Sequence, residues 1–152
     1  MGYTHYWSVA KHFSDKQWSA ICADARKIIA AAPCKITFEM DDETAPTIDN
    51  EMIRFNGFGD AGYETFLLYR RPDDAFCKTA REAYDPVVCA VLISANKHAP
   101  KVIEVRSDGG VASFIENAGY EMPDQEWVDA LEFVTKTLGT GYALPRFIAG
   151  RK

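Results

Sequence analysis

The sequence lacks any long hydrophobic run. Its most apolar uncharged stretch, residues 86–96, has eleven residues, whereas a membrane-spanning helix needs about 20. The first residues, MGYTHYWSVAKHF, also lack the basic segment followed by an apolar segment that marks a secretory signal. We therefore expect a protein with no membrane partner and a cytoplasmic location.

An excess of positive charge is missing too. The 152 residues include 17 Lys and Arg against 22 Asp and Glu, which gives a net charge of −5. Proteins that bind polymeric nucleic acid need clustered cations to displace counterions from the phosphates. This class of partner is therefore not expected, whereas a small anionic ligand needs only a local basic pocket.

Patterns of metal ligands are absent as well. The four cysteines, at positions 22, 34, 77 and 89, never lie within two or three residues of one another, and the three histidines, at 5, 12 and 98, are equally scattered. Zinc sites and redox-active dithiols normally have closely spaced pairs. We expect four reduced, mostly buried thiols, no metal and no cofactor.

Helical periodicity is clear in several segments. Ser14 and Gln17 form a capping box, after which apolar residues recur at helical spacing over residues 15–32. A buried helix is expected over residues 86–97, with Asp85 as its N-cap and Pro86 as its first residue. Two further helices are expected, one ending at Gly119 and one over residues 124–138.

Runs of β-prone residues predict the rest of an α+β single domain. About five strands are expected in a mostly antiparallel sheet, packed with three to four helices. These strands are residues 3–8, 35–39, 51–56, 63–70 and 101–107. Residues 70–84 look polar and irregular and are expected to form a loop, and the acidic residues 39–51 are expected to form a solvated loop instead of a calcium site.

Two short motifs resemble nucleotide-binding sequences but lack the neighbouring residues or elements that such sites require. Gly57, Gly59 and Gly62 spell GxGxxG, but a strand, not a helix, is expected to follow, so a hairpin turn is favoured over a dinucleotide site. The pair Lys78-Thr79 resembles the end of a P-loop without its glycines. Lys78 and Arg81 could still clamp an anion, although surface ion pairs with Asp73, Asp74 or Glu82 are the favoured explanation.

Four blocks of sequence together resemble a family of small uncharacterised proteins found in bacteriophages, prophages and bacterial genomes. The blocks are MGYTHYW at the N-terminus, IRFNGFGD..YETF at 53–66, FCKTAREAYDPVVCAVL at 76–92 and VRSDGG at 105–110. The resemblance implies relatives but no known reaction. Several of its polar positions have little use in core packing, so we expect them to converge on one pocket.

The leading functional hypothesis is a protein that binds a small anionic or nucleotide-like molecule, for example to sequester a host immune signal. The candidate ligand-binding residues are Tyr3, His5, Arg54, Asn56, Lys78, Thr79, Arg81, Asp85, Ser107, Asp108 and Gly109. They would supply aromatic walls, positive charge and directional hydrogen bonds. Such a pocket could also be built at the interface of a homo-oligomer.

Two alternatives use the same sequence differently. In a small hydrolase or transferase, His5 would be the general acid or base and Asp85 or Asp108 would orient it. In a protein-interaction module, exposed aromatic residues and the acidic loop would bind a host protein. No spacing in the sequence forces the catalytic candidates together, so no catalytic residue is assigned.

Overall fold

The computed structural model of the chain describes residues 2–110 and 123–149. These residues form an α+β domain with two antiparallel sheets, which confirms the predicted fold class. The helix expected to end at Gly119 lies outside the described residues. No helix in the described part of the chain is both long and apolar enough to cross a membrane.

The first sheet has three strands in the order β6-β1-β7. Strand β1 is Thr4–Val9, β6 is Asp73–Lys78 and β7 is Ile103–Ser107. Side chains alternate between the core and solvent along β1 and β7, as expected for a sheet with one covered face. In this register His5 lies opposite Cys77 on β6 and opposite Ser107 on β7.

The second sheet is built around β4, Met52–Gly57. This strand pairs with β2 (Ile36–Thr37), β3 (Thr47–Ile48) and β5 (Phe66–Tyr69), always antiparallel. Phe66 joins the two sheets, because its ring lies 5.0 Å from the ring of Trp7 and 4.9 Å from that of Phe55. Aromatic contacts of this kind add to the stabilisation that burial alone gives.

Four helices complete the described fold. They are α1 (Asp15–Ala30), α2 (Asp85–His98), α3 (Gln125–Leu138) and the short α4 (Arg146–Ala149). The predicted capping box of Ser14 and Gln17 begins α1. Helix α2 is buried from Val87 to Ala95 and packs against α1, α3 and β7, which confirms that it is the central helix.

The structure corrects several details of the predicted elements. The segment expected to be a loop contains β6, whose edge position lets it tolerate Asp73 and Asp74 at its first residues. The strands divide between two sheets instead of one, and β3 lies within the acidic loop. Tyr84, not Asp85, is the N-cap of α2. The carboxylate of Asp85 is therefore available for another partner.

The glycine-rich turn between β4 and β5 is held by Asn56. The Asn56 amide donates to the carbonyl of Tyr63 (3.0 Å) and to the hydroxyl of Thr65 (3.1 Å), and its oxygen accepts from the N–H groups of Gly57 (2.8 Å) and Tyr63 (3.1 Å). A Cβ at Gly62 would lie 2.1 Å from the Gly57 carbonyl oxygen. The glycines thus permit close backbone approach within the hairpin connection from β4 to β5, as predicted for a glycine-rich turn.

We expect Asn56→Ala to lower the free energy of unfolding by roughly 2–4 kcal/mol, because it leaves several buried backbone groups without their partner. Chemical denaturation would measure this change. Asn96→Ala, at a half-buried position on α2, is the control and should cost less than about 1 kcal/mol. Equal losses in the two variants would contradict the role assigned to Asn56.

Candidate functional site

His5 lies at the centre of a buried polar cluster under the first sheet. Its side chain is fully buried, and both ring nitrogens have short hydrogen-bond partners. Nδ1 lies 2.7 Å from the Ser107 hydroxyl oxygen, and Nε2 lies 2.7 Å from Oδ1 of Asp85. The pairing of β1 with β7 positions the serine, and the first turn of α2 positions the carboxylate.

The positions of the protons in this cluster follow from Ser107. Its hydroxyl oxygen accepts hydrogen bonds from the backbone N–H of Gly109 (2.9 Å) and from the indole N–H of Trp127 (3.0 Å). Both of these groups can only donate. The serine proton is therefore directed to Nδ1 of His5, which accepts it, and Nε2 carries the proton that is donated to Asp85.

Asp85 accepts further hydrogen bonds on the same side of His5. The hydroxyl of Thr79 donates to Oδ1. The thiol of Cys89, one helical turn beyond Asp85, lies 3.7 Å from Oδ2 and 3.4 Å from Nε2 of His5. Burial, followed by the nearby charge of Asp85, raises the pKa of the Cys89 thiol well above its usual range. The thiol therefore stays protonated and can donate to the Asp85 carboxylate.

Two aromatic side chains enclose the imidazole. Tyr3 and Trp127 each contact His5 edge to face, with ring centroids 5.1 Å away. The Trp127 indole is hydrogen bonded to Ser107, whereas the Tyr3 hydroxyl has no hydrogen-bond partner in the described parts of the chain. Tyr3 is nonetheless only 2% exposed.

Arg81 covers this cluster on its outer side. Its guanidinium stacks on the Tyr3 ring at 3.8 Å and pairs with Asp124 (3.1 Å) and Glu126 (2.6 Å) at the start of α3. About half of the Arg81 side chain is exposed. These ion pairs link the turn after β6 to the helix that carries Trp127.

The turn that presents Arg81 is strained. Ala80 and Arg81 both have positive φ angles, 52° and 60°, in a turn closed by the hydrogen bond from Glu82 N–H to the Thr79 carbonyl (2.9 Å). Left-handed backbone costs a residue with a side chain about 1–2 kcal/mol. Hydrogen bonds from the Thr79 and Ala80 N–H groups to the Tyr3 carbonyl oxygen help to hold it.

The structure brings together only part of the predicted site. Seven of the predicted residues meet in or on the cluster: Tyr3, His5, Thr79, Arg81, Asp85, Ser107 and Gly109. Two belong to the second sheet and are used there, because Asn56 holds the glycine turn and Arg54 pairs with Glu39 and stacks on Phe38.

The remaining two predicted residues lie towards solvent. Asp108 accepts from the Thr4 N–H and the Tyr6 hydroxyl, both at 3.1 Å. The Lys78 ammonium lies 5.5 Å from the centre of the Tyr63 ring. The three predicted cations are therefore dispersed, and the expected single basic pocket is not found among the described residues.

Sequence reasoning missed two members of the cluster, Cys89 and Trp127. Cys89 could have been found, because a spacing of four residues places it on the same helix face as Asp85. Trp127 fits the apolar face of α3 equally well as a core residue, and nothing in its neighbourhood indicates a partner on β7. Only tertiary packing reveals the Trp127 contact.

His5, Asp85 and Cys89 could in principle hold a metal ion, since their ligand atoms lie within 4.8 Å of one another. Two observations disfavour zinc. Nε2 and Oδ1 are 2.7 Å apart, whereas two ligands with bonds of about 2.0–2.1 Å lie roughly 3.3 Å apart in a tetrahedral site. Ligation through Nε2 would also leave an Nδ1 proton facing Ser107, whose oxygen already accepts two N–H donors. The cluster fits a hydrogen-bonded network better.

A second buried carboxylate provides a comparison. Oδ2 of Asp24 on α1 accepts hydrogen bonds from Ser94, His98 and Tyr142, each at 2.8 Å. Here the serine and the histidine both bond to the carboxylate and not to each other. This group ties α1, α2 and the C-terminal segment together without forming a chain of proton donors.

One surface cavity lined by described residues has a volume of about 610 Å³ and lies at the other end of β1. Arg70 is fixed there by hydrogen bonds to the Phe13 carbonyl oxygen (3.0 Å) and the Asn50 side chain (2.7 Å), and by an ion pair with Asp15. The Arg71 guanidinium stacks on the Tyr69 ring at 3.8 Å. We call this cavity the arginine cleft.

The polar cluster should contribute strongly to stability. Asp85→Asn should lower the free energy of unfolding by roughly 2–4 kcal/mol, because the amide has no charge for the bonds from His5 and Thr79 and places an NH₂ donor against the Cys89 thiol. Chemical denaturation would measure the loss. Asp108→Asn is the control, since Asp108 is exposed, and it should cost less than about 1 kcal/mol. A loss for Asp85→Asn no larger than for the control would mean that the Asp85 hydrogen bonds do not stabilise the fold.

Comparison with known proteins gives no function for the chain. No protein-family model matches it, and neither a curated protein nor a solved structure shows significant similarity. The function therefore has to be inferred from the chemistry of the polar cluster and of the surface around it.

Proposed function

We propose that the protein is a small hydrolase in which Ser107 is the nucleophile, His5 the general base and Asp85 the group that orients His5. The supporting observation is the chain of two 2.7 Å hydrogen bonds, between serine and histidine and between histidine and carboxylate. Serine hydrolases are recognised by these roles and this geometry and not by sequence order. In the Ser-His-Asp triads that define these roles, Nε2 contacts the serine and Nδ1 contacts the carboxylate. His5 has the reverse arrangement, with Nδ1 on the serine and Nε2 on the carboxylate.

The proposed reaction balances with water alone. Ser107 Oγ attacks the carbonyl carbon of an ester while its proton passes to Nδ1 of His5, and that proton then leaves with the departing alcohol as the ester C–O bond breaks. Water attacks the resulting acyl-serine and gives a proton to Nδ1. The serine oxygen then leaves the acid and recovers that proton. Asp85 accepts the Nε2 hydrogen bond throughout.

Access to Ser107 requires a local movement, because its side chain is buried. The group most suited to move is the first turn of α3, which carries Trp127 and is held by the Arg81 ion pairs with Asp124 and Glu126. Half-exposed ion pairs contribute only about 0.2–1 kcal/mol each. Opening this turn also removes the hydrogen bond from the Trp127 indole to the serine oxygen.

The charge around the site favours an uncharged ester over a phosphate ester. Asp85 lies behind His5, and Asp124 and Glu126 lie beside Tyr3, so that Arg81 is outnumbered by carboxylates. A phosphate group would be repelled by this arrangement. A neutral acyl group avoids this repulsion.

The test is covalent labelling of the folded protein with a fluorophosphonate, read by mass spectrometry of the peptides. We expect one adduct, on Ser107, and slow turnover of p-nitrophenyl acetate that is lost in Ser107→Ala and kept in Ser94→Ala. Ser94 is the matched control because it is also buried and hydrogen bonded to a carboxylate. Arg81→Ala should accelerate labelling, since it releases α3.

Absence of a Ser107 adduct in both the original protein and Arg81→Ala, with both proteins still melting cooperatively, would refute the hydrolase. The cluster would then have only a structural role. An adduct that survives His5→Gln at the original rate would also refute it, because the serine would not depend on its base.

The arginine cleft favours a second candidate function, the binding of a small anionic or nucleotide-like molecule expected from the sequence. Its volume of about 610 Å³ lies within the range of about 300–1,000 Å³ typical of ligand pockets. Arg70 is held in place, and Arg71 presents a planar guanidinium that has no carboxylate partner among the described residues. A guanidinium can bind two phosphate oxygens at once through two parallel N–H···O hydrogen bonds. A protein that binds without turnover would act by sequestration.

Calorimetric titration with ATP and with pyrophosphate tests this second function. Arg71→Ala should weaken binding by about tenfold or more, which corresponds to the loss of one good charge-assisted contact. Arg106→Ala is the control, because Arg106 also stacks on an aromatic ring, that of Phe147, but lies outside the cleft. Undetectable binding to the unaltered protein, or equal weakening in both variants, would reject the cleft as the site.

A further inference from the structure

The hydroxyl group of Tyr3 is an exception within a cluster whose other described polar groups are hydrogen bonded. It is buried, and no hydrogen-bond partner for it exists in the described parts of the chain. A buried hydroxyl without a partner costs about 1–3 kcal/mol. Phenylalanine would fill the same space without this cost, so the hydroxyl needs an explanation other than packing.

Tyr3 and Ser107 both lie against Gly109. The backbone N–H of Gly109 donates to Ser107 Oγ, while a Cβ built on Gly109 would lie 2.0 Å from the Tyr3 hydroxyl oxygen. Any other residue at position 109 would therefore displace the phenol. The absence of a side chain at Gly109 lets this unpartnered donor lie against the residue whose N–H contacts the proposed nucleophile.

We infer that Tyr3 is a further catalytic residue, whose hydroxyl donates a hydrogen bond to the oxyanion that forms when Ser107 attacks a carbonyl group. This inference rests on the proposed hydrolase. Donors aimed at a position where charge develops only in the transition state have no partner in the resting enzyme, which is the state observed for Tyr3.

The surroundings of the Tyr3 hydroxyl favour its role as a hydrogen-bond donor. Burial raises its pKa, and the neighbouring Cys89 and Asp85 raise it further. The hydroxyl therefore keeps its proton across the pH range in which the protein would work. Stacking under Arg81 and the edge contact with His5 fix the ring, so the position of the hydroxyl oxygen is set before a substrate arrives.

Tyr3→Phe tests the inference, because it removes the hydroxyl and keeps the ring contacts. We expect kcat for p-nitrophenyl acetate to fall by about 100-fold or more, as for loss of one oxyanion donor, while KM changes little. The melting temperature should stay the same or rise, since an unpartnered buried group is removed. Fluorophosphonate labelling of Ser107 should persist at a lower rate.

Tyr84→Phe is the matched control. Tyr84 is also fully buried, but its hydroxyl donates to the Glu64 carbonyl oxygen at 2.5 Å. This variant should therefore lose stability and keep its turnover. The opposite responses of two buried tyrosines separate a catalytic hydroxyl from a structural one.

Three outcomes would overturn the inference, and they are distinguishable. If Ser107 is labelled but Tyr3→Phe keeps kcat within about twofold, the oxyanion role fails and the hydrolase stands. If Tyr3→Phe lowers the melting temperature as much as Tyr84→Phe does, the hydroxyl is structural. If Ser107 is never labelled in the unaltered protein or in Arg81→Ala, the hydrolase fails and the role of Tyr3 fails with it.

Discussion

The hydrogen bonds on either side of the His5 ring are the interaction on which the rest of this structure depends. They join β1 to β7 through Ser107 and to the first turn of α2 through Asp85, and Trp127 adds α3 to the same group. Buried polar groups are costly unless all of them are paired. Once paired, they admit one arrangement of the elements that contribute them. A sliding of β1 by one residue would place His5 on the exposed face of the sheet.

The hydrophobic core and this hydrogen-bond network contribute differently to the fold, the core through burial of apolar surface and the network through directional contacts. Helix α2 supplies apolar surface to almost every neighbour, and burial of such surface is not directional. Specific position comes from the two carboxylates at its flanks, Asp85 near its start and Asp24 facing its later turns through Ser94 and His98. The two carboxylates differ in how their hydrogen bonds are arranged. Asp24 accepts from three side chains directly, whereas Asp85 is the last member of a chain that begins at the Ser107 hydroxyl.

The same network explains why a strained turn is tolerated beside it. Ala80 and Arg81 adopt left-handed backbone, and the hydrogen bonds of Thr79 to Asp85 and to the Tyr3 carbonyl hold the turn from the inside. Arg81 is thereby placed over Tyr3 and against α3. Backbone strain of this kind is concentrated at functional sites, because only a function or an over-determined surrounding preserves it.

The sequence by itself determined the local elements: the capping box of α1, the buried helix α2, the alternation of β1 and β7, and the turn after Asn56. Each depends on spacing within one segment. The four resembling blocks also indicated His5, Thr79, Asp85 and Ser107 as polar residues with little use in core packing. Tertiary structure alone decided that β6 is a strand, that the strands form two sheets, and that Arg54 and Asn56 lie away from His5. The physical reason is that strand pairing, and the hydrogen bonds of Asp85 and Ser107, join residues about 80 to 100 positions apart, and no local pattern encodes such partners.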